Sequence, residues 1–258
     1  MRSPIQIVFA VLHALVLREF LGRFTKRRMG AFWTLLEPFL HVFVLTLFFT
    51  YLRGRQVAGM EYPVYLITGL VPFLLYRNIS SRLMDSISSN RGLFAYKQIK
   101  PMDTFVARMI VELVLMSLVY ALLLFVFGWV GFDVSVHRPL EWAVVLLFGL
   151  TFAFSLGIVF AVITNALPDT RFFIKMLFMP LYFISGVVYP PSRLPEQYIE
   201  IFLWNPFLHL SELTRTFIFE HYVPVRGISF NYVVESTIIL TFSALALYRV
   251  RRQKLLAI

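Results

Sequence analysis

The sequence contains no cysteine and has few charged residues. A chain without thiols forms no disulfide, no thiolate nucleophile and no zinc–thiolate site. Charged types make up 15% of the 258 residues, whereas soluble domains carry roughly 25%. So small a share of charge cannot solvate the whole surface of a globule of this size. The composition therefore excludes an ordinary soluble domain and indicates a protein that lies in a lipid bilayer.

Motifs for catalysis and nucleotide binding are also missing from the sequence. There is no G-x-x-x-x-G-K-[ST] loop to hold the phosphates of ATP and no H-E-x-x-H pair to hold zinc. There is also no G-x-S-x-G turn to present a serine nucleophile. We therefore predict no catalytic residue, no metal site and no cofactor on this chain. Any uphill transport must draw its energy from another chain.

Apolar residues dominate what is present, at 59% of the chain with a mean hydropathy of +0.76. A bilayer core about 30 Å thick needs about 20 apolar residues per helix, and several stretches reach that length. We predict an all-α membrane protein in which residues 31–250 form a transmembrane domain of six helices. The predicted spans are residues 31–52, 62–79, 106–130, 142–165, 172–189 and 231–250.

Lysine and arginine are distributed unevenly between the predicted loops. If the N-terminus is cytoplasmic, most of the 24 Lys and Arg residues fall in residues 1–30, around the second and fourth connections, and in the tail 251–258. Half of the Asp and Glu residues lie in the loops of the opposite side. The positive-inside rule then places both termini in the cytoplasm of a bacterial inner membrane. Topology explains the net charge of +10, so we predict no nucleic-acid partner.

Residues 1–30 precede the first predicted span and are rich in bases. The apolar run 5–17 is too short to cross a bilayer, and no small-residue cleavage site follows it as in a signal peptide. After it, apolar residues recur at helical spacing opposite bases, which predicts an amphipathic helix in the plane of the cytoplasmic headgroups. The apolar positions are Leu17, Phe20, Leu21 and Phe24. Such a helix either anchors the chain on anionic lipid or forms a platform for a cytoplasmic partner.

The predicted cytoplasmic loop 81–102 is longer than a simple connection between two spans requires. Leu83, Met84 and Ile87 form an apolar stripe on a short helix, with bases around them. A patterned helix in such a loop indicates a surface on which a partner docks, although an ordinary surface helix shows the same pattern. We predict that this loop couples the chain to a partner.

The predicted external segment 190–230 combines several prolines with a short apolar run, "YIEIFLWNPFLHL". Apolar runs of about 10–14 residues are typical of re-entrant or interfacial elements. We predict that the chain dips into the outer leaflet here and returns, since broken helices at membrane depth need protein or a cavity around them. A solvent-exposed cap is the plain alternative.

Several stretches together carry a resemblance to a known family. The first contains Gly30, Trp33 and Pro38 after a basic helix. The stretches are "RFTKRRMGAFWTLLEPF", "NRGLFAYKQIKPMDTFVAR", "LPDTRFF", "PLYFISGVVYP", "LWNPFLHLSELTR" and "ALYRVRRQ". In this order, over nearly the whole chain, they resemble the permease subunits of ATP-binding-cassette exporters of cell-surface polysaccharides, and within these the capsule branch.

The resemblance implies partners and a cargo. Two copies of such a permease form the conduit, and two copies of a separate cytoplasmic ATPase bind ATP and Mg beneath it. The cargo is an acidic capsular polysaccharide on a lipid anchor, handed to periplasmic and outer-membrane export proteins. O-antigen or teichoic-acid-type export, and a membrane enzyme of lipid-linked glycan metabolism, stay open as alternatives. A proton-coupled transporter usually shows internal repeats, and the sequence contains none that we find.

Two groups of residues are candidates for contact with such a cargo. Bases near the cytoplasmic ends of the spans can hold phosphate or carboxylate groups, although long side chains also snorkel to the interface; they are Arg27, Arg28, Arg77 and Lys175. Aromatic residues that can line the path are Phe39, Phe43, Tyr182, Phe183, Tyr189 and Trp204. Glu37, Glu112 and Glu235 lie inside predicted spans, where an acid needs a partner that the sequence does not identify.

Overall fold

A computed structural model describes residues 3–24, 30–53, 56–57, 60–193 and 195–256. The described part is helical apart from a two-residue hairpin, Gln56–Val57 with Met60–Glu61, that pairs antiparallel. Short 3-10 turns lie at Arg91–Ala95 and Pro191–Arg193. The α-helices are α1 (Pro4–Phe24), α2 (Gly30–Arg53), α3 (Tyr62–Met84), α4 (Ser86–Asn90), α5 (Pro101–Val130), α6 (Pro139–Ala166), α7 (Thr170–Ile184), α8 (Glu196–Phe202), α9 (Pro206–Ile218) and α10 (Phe230–Leu256).

The predicted all-α membrane fold is confirmed. Five described helices, α1, α2, α5, α6 and α10, are long and apolar enough to cross a membrane. Helix α3 is long but carries Arg77 and Asn78, and α7 has only 15 residues, or about 22 Å of helix. The five candidate spans thus include α1 and leave out α3 and α7. The predicted count of six spans therefore stays a prediction.

Three helix boundaries differ from those predicted. Helix α1 runs without interruption from Pro4, so the apolar run 5–17 belongs to a helix of 21 residues. Its placement in the headgroup plane stays a prediction. Helix α7 ends at Ile184 rather than at residue 189, because Gly186 turns the chain with a φ of +64°. Helix α10 continues to Leu256, so the tail begins as an extension of that helix.

Helix α3 forms the centre of the bundle, and most of its residues are buried. It packs against α6 at two glycines of that helix. A Cβ atom at Gly149 would lie 2.3 Å from the ring and hydroxyl of Tyr76, and one at Gly157 would lie 2.7 Å from Cβ of Leu83. Small residues at such positions allow two helices to approach closely. The pair of α3 and α6 is therefore the tightly packed core on which the other helices are placed.

The segment between α7 and α10 folds back along this core. Phe207, at the start of α9, packs its ring against Phe73 of α3 and Phe152 of α6, with centroids 5.7 and 5.4 Å apart. Both partners lie near the middle of their helices, so the turn between α8 and α9 reaches the middle of the bundle. Asn205 in this turn accepts a hydrogen bond from the Phe207 N–H at 3.0 Å and caps α9. This geometry is the one that the predicted re-entrant segment requires, and its depth in a membrane stays a prediction.

Candidate functional site at the basic end

The ends of α1, α3 and α5 meet at one end of the bundle, which we call the basic end. A cavity of about 840 Å³ lies there between these helices, α2 and α4. Charged side chains dominate its wall. The arginines are Arg18, Arg23, Arg77, Arg82 and Arg108, and the acids are Glu19, Glu37, Asp85 and Glu112. The cavity can therefore hold a charged group, with arginine donors on several sides.

Glu112 of α5 is the centre of the ion pairs in this wall. It is 3% exposed, and its Oε1 atom lies 2.6 Å from Nη2 of Arg23 and 3.1 Å from Nε of Arg82. These contacts join α1, α3 and α5, and they supply the partners that the sequence left unassigned for Glu112. Arg23 lies against this buried acid with 12% of its side chain exposed, whereas an amphipathic helix in the headgroup plane would hold its bases in water.

A second ion pair fixes α1 on α5. Nε of Arg108 lies 3.4 Å from Oε2 of Glu19, and Nη1 of Arg108 donates to the carbonyl oxygen of Arg82 at 2.7 Å. These charges can be buried because each has a partner of opposite sign. Arg18 of α1 also donates to Oδ1 of Asn90 in α4. The N-terminal helix is thus held by polar contacts to three other elements.

Of the four bases predicted to hold a headgroup, Arg77 lies in the cavity. It is half-buried on α3 and donates to Oδ1 of its neighbour Asn78 at 3.2 Å, and no acid among the described residues lies within ion-pair distance of it. Lys175 lies outside the cavity wall, with Nζ 3.2 Å from Oδ2 of Asp85. Arg27 and Arg28 lie outside the described residues. The structure therefore does not bring Arg77 and Lys175 into one group.

The residues predicted to couple the chain to a partner have different surroundings. Leu83, Met84 and Ile87 are almost completely buried, at 0–2% exposure, so their stripe packs into the bundle. The exposed surface of the loop comes from residues such as Ser89 and Tyr96, and the part that the three buried side chains play in coupling to a partner stays a prediction. Part of the predicted surface of α1 is accessible: Leu17 and Leu21 are exposed, and Phe20 and Phe24 are half-buried with their rings in edge contact at 4.4 Å.

The aromatic residues predicted to line a path lie in different surroundings in the described part of the chain. Phe39 and Phe43 stack at 5.6 Å against the core. Tyr182 packs on Phe73 and Phe183, with centroids 5.6 and 5.3 Å away. Tyr189 is half-buried, while Phe183 and Trp204 are 43% and 81% exposed. None of the six predicted residues lines the charged cavity.

Sequence reasoning missed a buried ion pair at the opposite end of the bundle. Arg215 and Glu212, both on α9, have fully buried side chains that lie 3.2 Å apart. Arg215 donates to the carbonyl oxygens of Gly186 and Val187 at 2.8 and 3.1 Å, and its guanidinium lies 3.7 Å from the ring centroid of Tyr65. Their i, i+3 spacing on an apolar helix is the one sequence signal that could have indicated the pair.

The other oxygen contacts of Glu212 complete this network. The hydroxyl of Tyr222 donates to Oε1 at 2.7 Å, and the N–H of Val225 donates to Oε2 at 3.2 Å. Gly69 of α3 makes room for the guanidinium, because a Cβ atom there would lie 2.2 Å from Nη2 of Arg215. The pair thus ties α3, the turn after α7 and the connection before α10 to α9. Within the described residues no group of three or more His, Asp and Glu is placed to bind a metal ion.

The apolar helices define a helical membrane protein with a charged cavity at one end, and comparison with known proteins gives its family. Residues 10–219 match the ABC-2 type transporter family, and the chain belongs to it. It is 34% identical to the polysialic acid transport protein KpsM of Escherichia coli, over 99% of this chain and 98% of that protein.

Two further relatives are named as capsule polysaccharide export proteins. The chain is 30% identical to the capsule polysaccharide export inner-membrane protein CtrC of Neisseria meningitidis serogroup B, over 80% of this chain and 77% of that protein. It is 26% identical to the capsule polysaccharide export inner-membrane protein BexB of Haemophilus influenzae, over 83% of this chain and 81% of that protein. The family resemblance predicted from the sequence is confirmed.

Proposed function

We propose that this chain is the membrane subunit of an ATP-driven exporter that moves a lipid-linked, acidic capsular polysaccharide across the bacterial inner membrane. The observation that carries the proposal is the end-to-end likeness to a polysialic acid transport protein. The charged cavity adds support, because a cargo with phosphate or sugar carboxylates needs cationic donors where it enters.

A separate ATPase supplies the energy in this proposal, since the sequence has no phosphate-binding loop of its own. Two copies of the ATPase bind ATP with Mg and contact the basic end, which faces the cytoplasm together with both chain termini. The exposed side chains of Leu17 and Leu21 on α1 and the exposed part of the loop after α4 support this contact. Differential binding of ATP to two states of the complex then drives the cycle.

Two copies of the chain form the conduit. Helix α7 supports this step, because it exposes the large apolar side chains of Phe172, Phe173, Met176 and Met179, and such a surface meets either lipid or another protein. The predicted aromatic residues, which lie in different surroundings within one copy, then line the path between two copies. Periplasmic and outer-membrane export proteins receive the polymer.

Arg77 is the residue in the cavity that we assign to the lipid-linked headgroup. The charges of Arg23, Arg82 and Arg108 are opposed by Glu112 and Glu19, whereas Arg77 has only the Asn78 amide oxygen as a described polar contact. A half-buried guanidinium that forms no ion pair among the described residues can bind a phosphate or carboxylate. Arg18 stands on another part of the cavity wall, hydrogen-bonded to Asn90.

Deletion of the gene for this chain in its host tests the function. We expect surface polysaccharide to disappear and lipid-linked polymer to accumulate inside the cell, and a tagged copy to restore export and to co-purify with a P-loop ATPase. Loss of polymer synthesis with no internal accumulation, together with substrate turnover by the purified chain alone, would identify a membrane enzyme and refute the proposal.

A further inference from the structure

Few side chains of helix α7 are buried in the described bundle, although Tyr182 near its C-terminal end packs on Phe73 of α3. Of its 15 residues, only Ile174 and Phe178 are buried. These two form a small apolar cluster with Met84 at the end of α3, separate from the main core. Turns flank the helix on both sides, at residues 167–169 and at Ser185–Gly186. Helix α7 can therefore change its angle about this small cluster without unpacking α3 from α6.

Asp85 connects this helix to the loop at the basic end. It lies between α3 and α4, and its Oδ1 atom is 3.1 Å from Nε of Arg171 while its Oδ2 atom is 3.2 Å from Nζ of Lys175. Arg171 also donates from Nη2 to Oγ of Ser88 in α4 at 3.3 Å. Arg171 and Lys175 stand four residues apart on α7, so they share one face of the helix. Both carboxylate oxygens thus hold the same face of α7.

We infer that Asp85 is a positioning residue that transmits displacement of α4 to α7, so that the two helices move together in the transport cycle. The inference rests on the proposed function, because α4 lies in the loop that meets the ATPase. The buried Met84, Ile174 and Phe178 cluster is the pivot, and the two ion pairs are the link that pulls α7 with α4. Because the two carboxylate oxygens of Asp85 pair with two different bases of α7, the contact resists both sliding and rotation between the helices.

The surroundings of Asp85 separate this role from a role in folding. Its side chain is 31% exposed, and those of Arg171 and Lys175 are 38% and 51% exposed. Ion pairs this accessible to water contribute little to stability. The carboxylate makes no capping hydrogen bond to α4, while Ser88 and Ser89 donate to the backbone oxygen of Asp85, which any substitution retains. Removal of the charge therefore leaves the local fold intact.

The test compares Asp85→Asn with Asp169→Asn in the complete complex of the chain and its ATPase. Asp169 lies exposed just before α7 and has no ion pair among the described residues, so its substitution makes the same charge change at the same end. We expect Asp85→Asn to keep the ATPase bound and hydrolysing ATP. The amount of polymer exported per ATP should fall about ten-fold, which is within the usual range for coupling between two sites. Asp169→Asn leaves that ratio unchanged.

Charge reversal provides the readout that a purely structural role would not give. Asp85→Lys alone uncouples export, and adding Arg171→Glu and Lys175→Glu restores it, because the pairs form again with opposite signs. Normal export per ATP in Asp85→Asn, or a triple variant that stays uncoupled, overturns the inference. Loss of the ATPase from Asp85→Asn also overturns it, since Asp85 would then be a docking residue. Absence of any ATPase from the unsubstituted complex refutes the proposed function instead.

Discussion

The two ends of the bundle use arginine and glutamate in opposite ways. At the basic end, Glu112 meets two arginines at the wall of a cavity, and the side chain of Arg82 is 56% exposed. At the other end, Arg215 and Glu212 are completely buried and satisfy backbone carbonyls of a broken segment. Glu112 is itself buried, but its partner Arg82 reaches water and can leave it at small cost, whereas neither member of the Arg215 and Glu212 pair is exposed. We infer that the basic end rearranges during transport while the other end holds its geometry.

The largest effect is expected from Glu212→Gln. Removing one charge from a fully buried pair leaves Arg215 without a counter-ion and costs about 3–5 kcal/mol of unfolding free energy. The measurement is the unfolding midpoint of the purified chain in detergent. Glu220→Gln, at an exposed position after α9, is the matched control and should leave the midpoint unchanged. Equal midpoints for the two variants would show that the buried pair does not hold this end.

A smaller loss is expected from Gly69→Ala, because the added Cβ atom would overlap Nη2 of Arg215. Overpacking of this kind costs about 1–3 kcal/mol. Gly22→Ala at the basic end is the control, since nothing lies within 4 Å of its added Cβ atom and alanine favours a helix over glycine by about 1 kcal/mol. The same unfolding measurement should give opposite signs for the two substitutions. A stabilised Gly69→Ala variant would contradict the described position of Arg215.

Glu112→Gln removes a carboxylate at the basic end, as Glu212→Gln does at the other end. Arg23 keeps a second acid, Glu19, 3.8 Å away, and Arg82 is partly solvated, so we expect a loss of about 1–2 kcal/mol. Comparison of its unfolding midpoint with that of Glu212→Gln sharpens the contrast between the two ends. A loss as large as that of Glu212→Gln would show that the charges of the cavity are as fixed as the buried pair.

The smallest effect on stability is expected from Arg77→Gln. Because Arg77 has no acidic partner among the described residues, the unfolding free energy should change by less than about 0.5 kcal/mol. Export should fall about ten-fold, through loss of a charge-assisted hydrogen bond to the cargo. Arg226→Gln, exposed at the other end of the bundle, removes the same charge outside the cavity and should export normally. Undiminished export by Arg77→Gln with the ATPase bound would remove Arg77 from the cargo site.

The features fixed by composition and periodicity were predicted well from the sequence. The long apolar runs at residues 106–130 and 142–165 predict α5 and α6, whose ends lie within five residues of these bounds. The apolar stripe of Leu83, Met84 and Ile87 was also identified, but not the direction in which it faces. A stripe beside a bundle packs inward as readily as it binds a partner, and only the positions of α5, α6 and α7 decide which.

The ion pairs could not be predicted, because they depend on which helices become neighbours. Glu112 and Arg23 are far apart in the chain, and nothing in the local pattern of α1 or α5 indicates that they meet. Arg215 lies in the predicted re-entrant segment 190–230, but the sequence pattern does not show that its side chain meets Gly186 and Tyr65. The candidate site was therefore predicted in composition, as a group of bases at one end, and not in its contacts.

The central claim is that the basic end receives mechanical work from a separate ATPase. The cysteine-free sequence allows single cysteines to be introduced at Ser89, exposed at the basic end, and at Val223, exposed at the other end. Each variant is treated with a thiol cross-linker in host membranes and purified. We predict that Ser89→Cys is joined to a P-loop ATPase and that Val223→Cys is not. An ATPase joined through Val223→Cys, or through neither variant, would contradict the account.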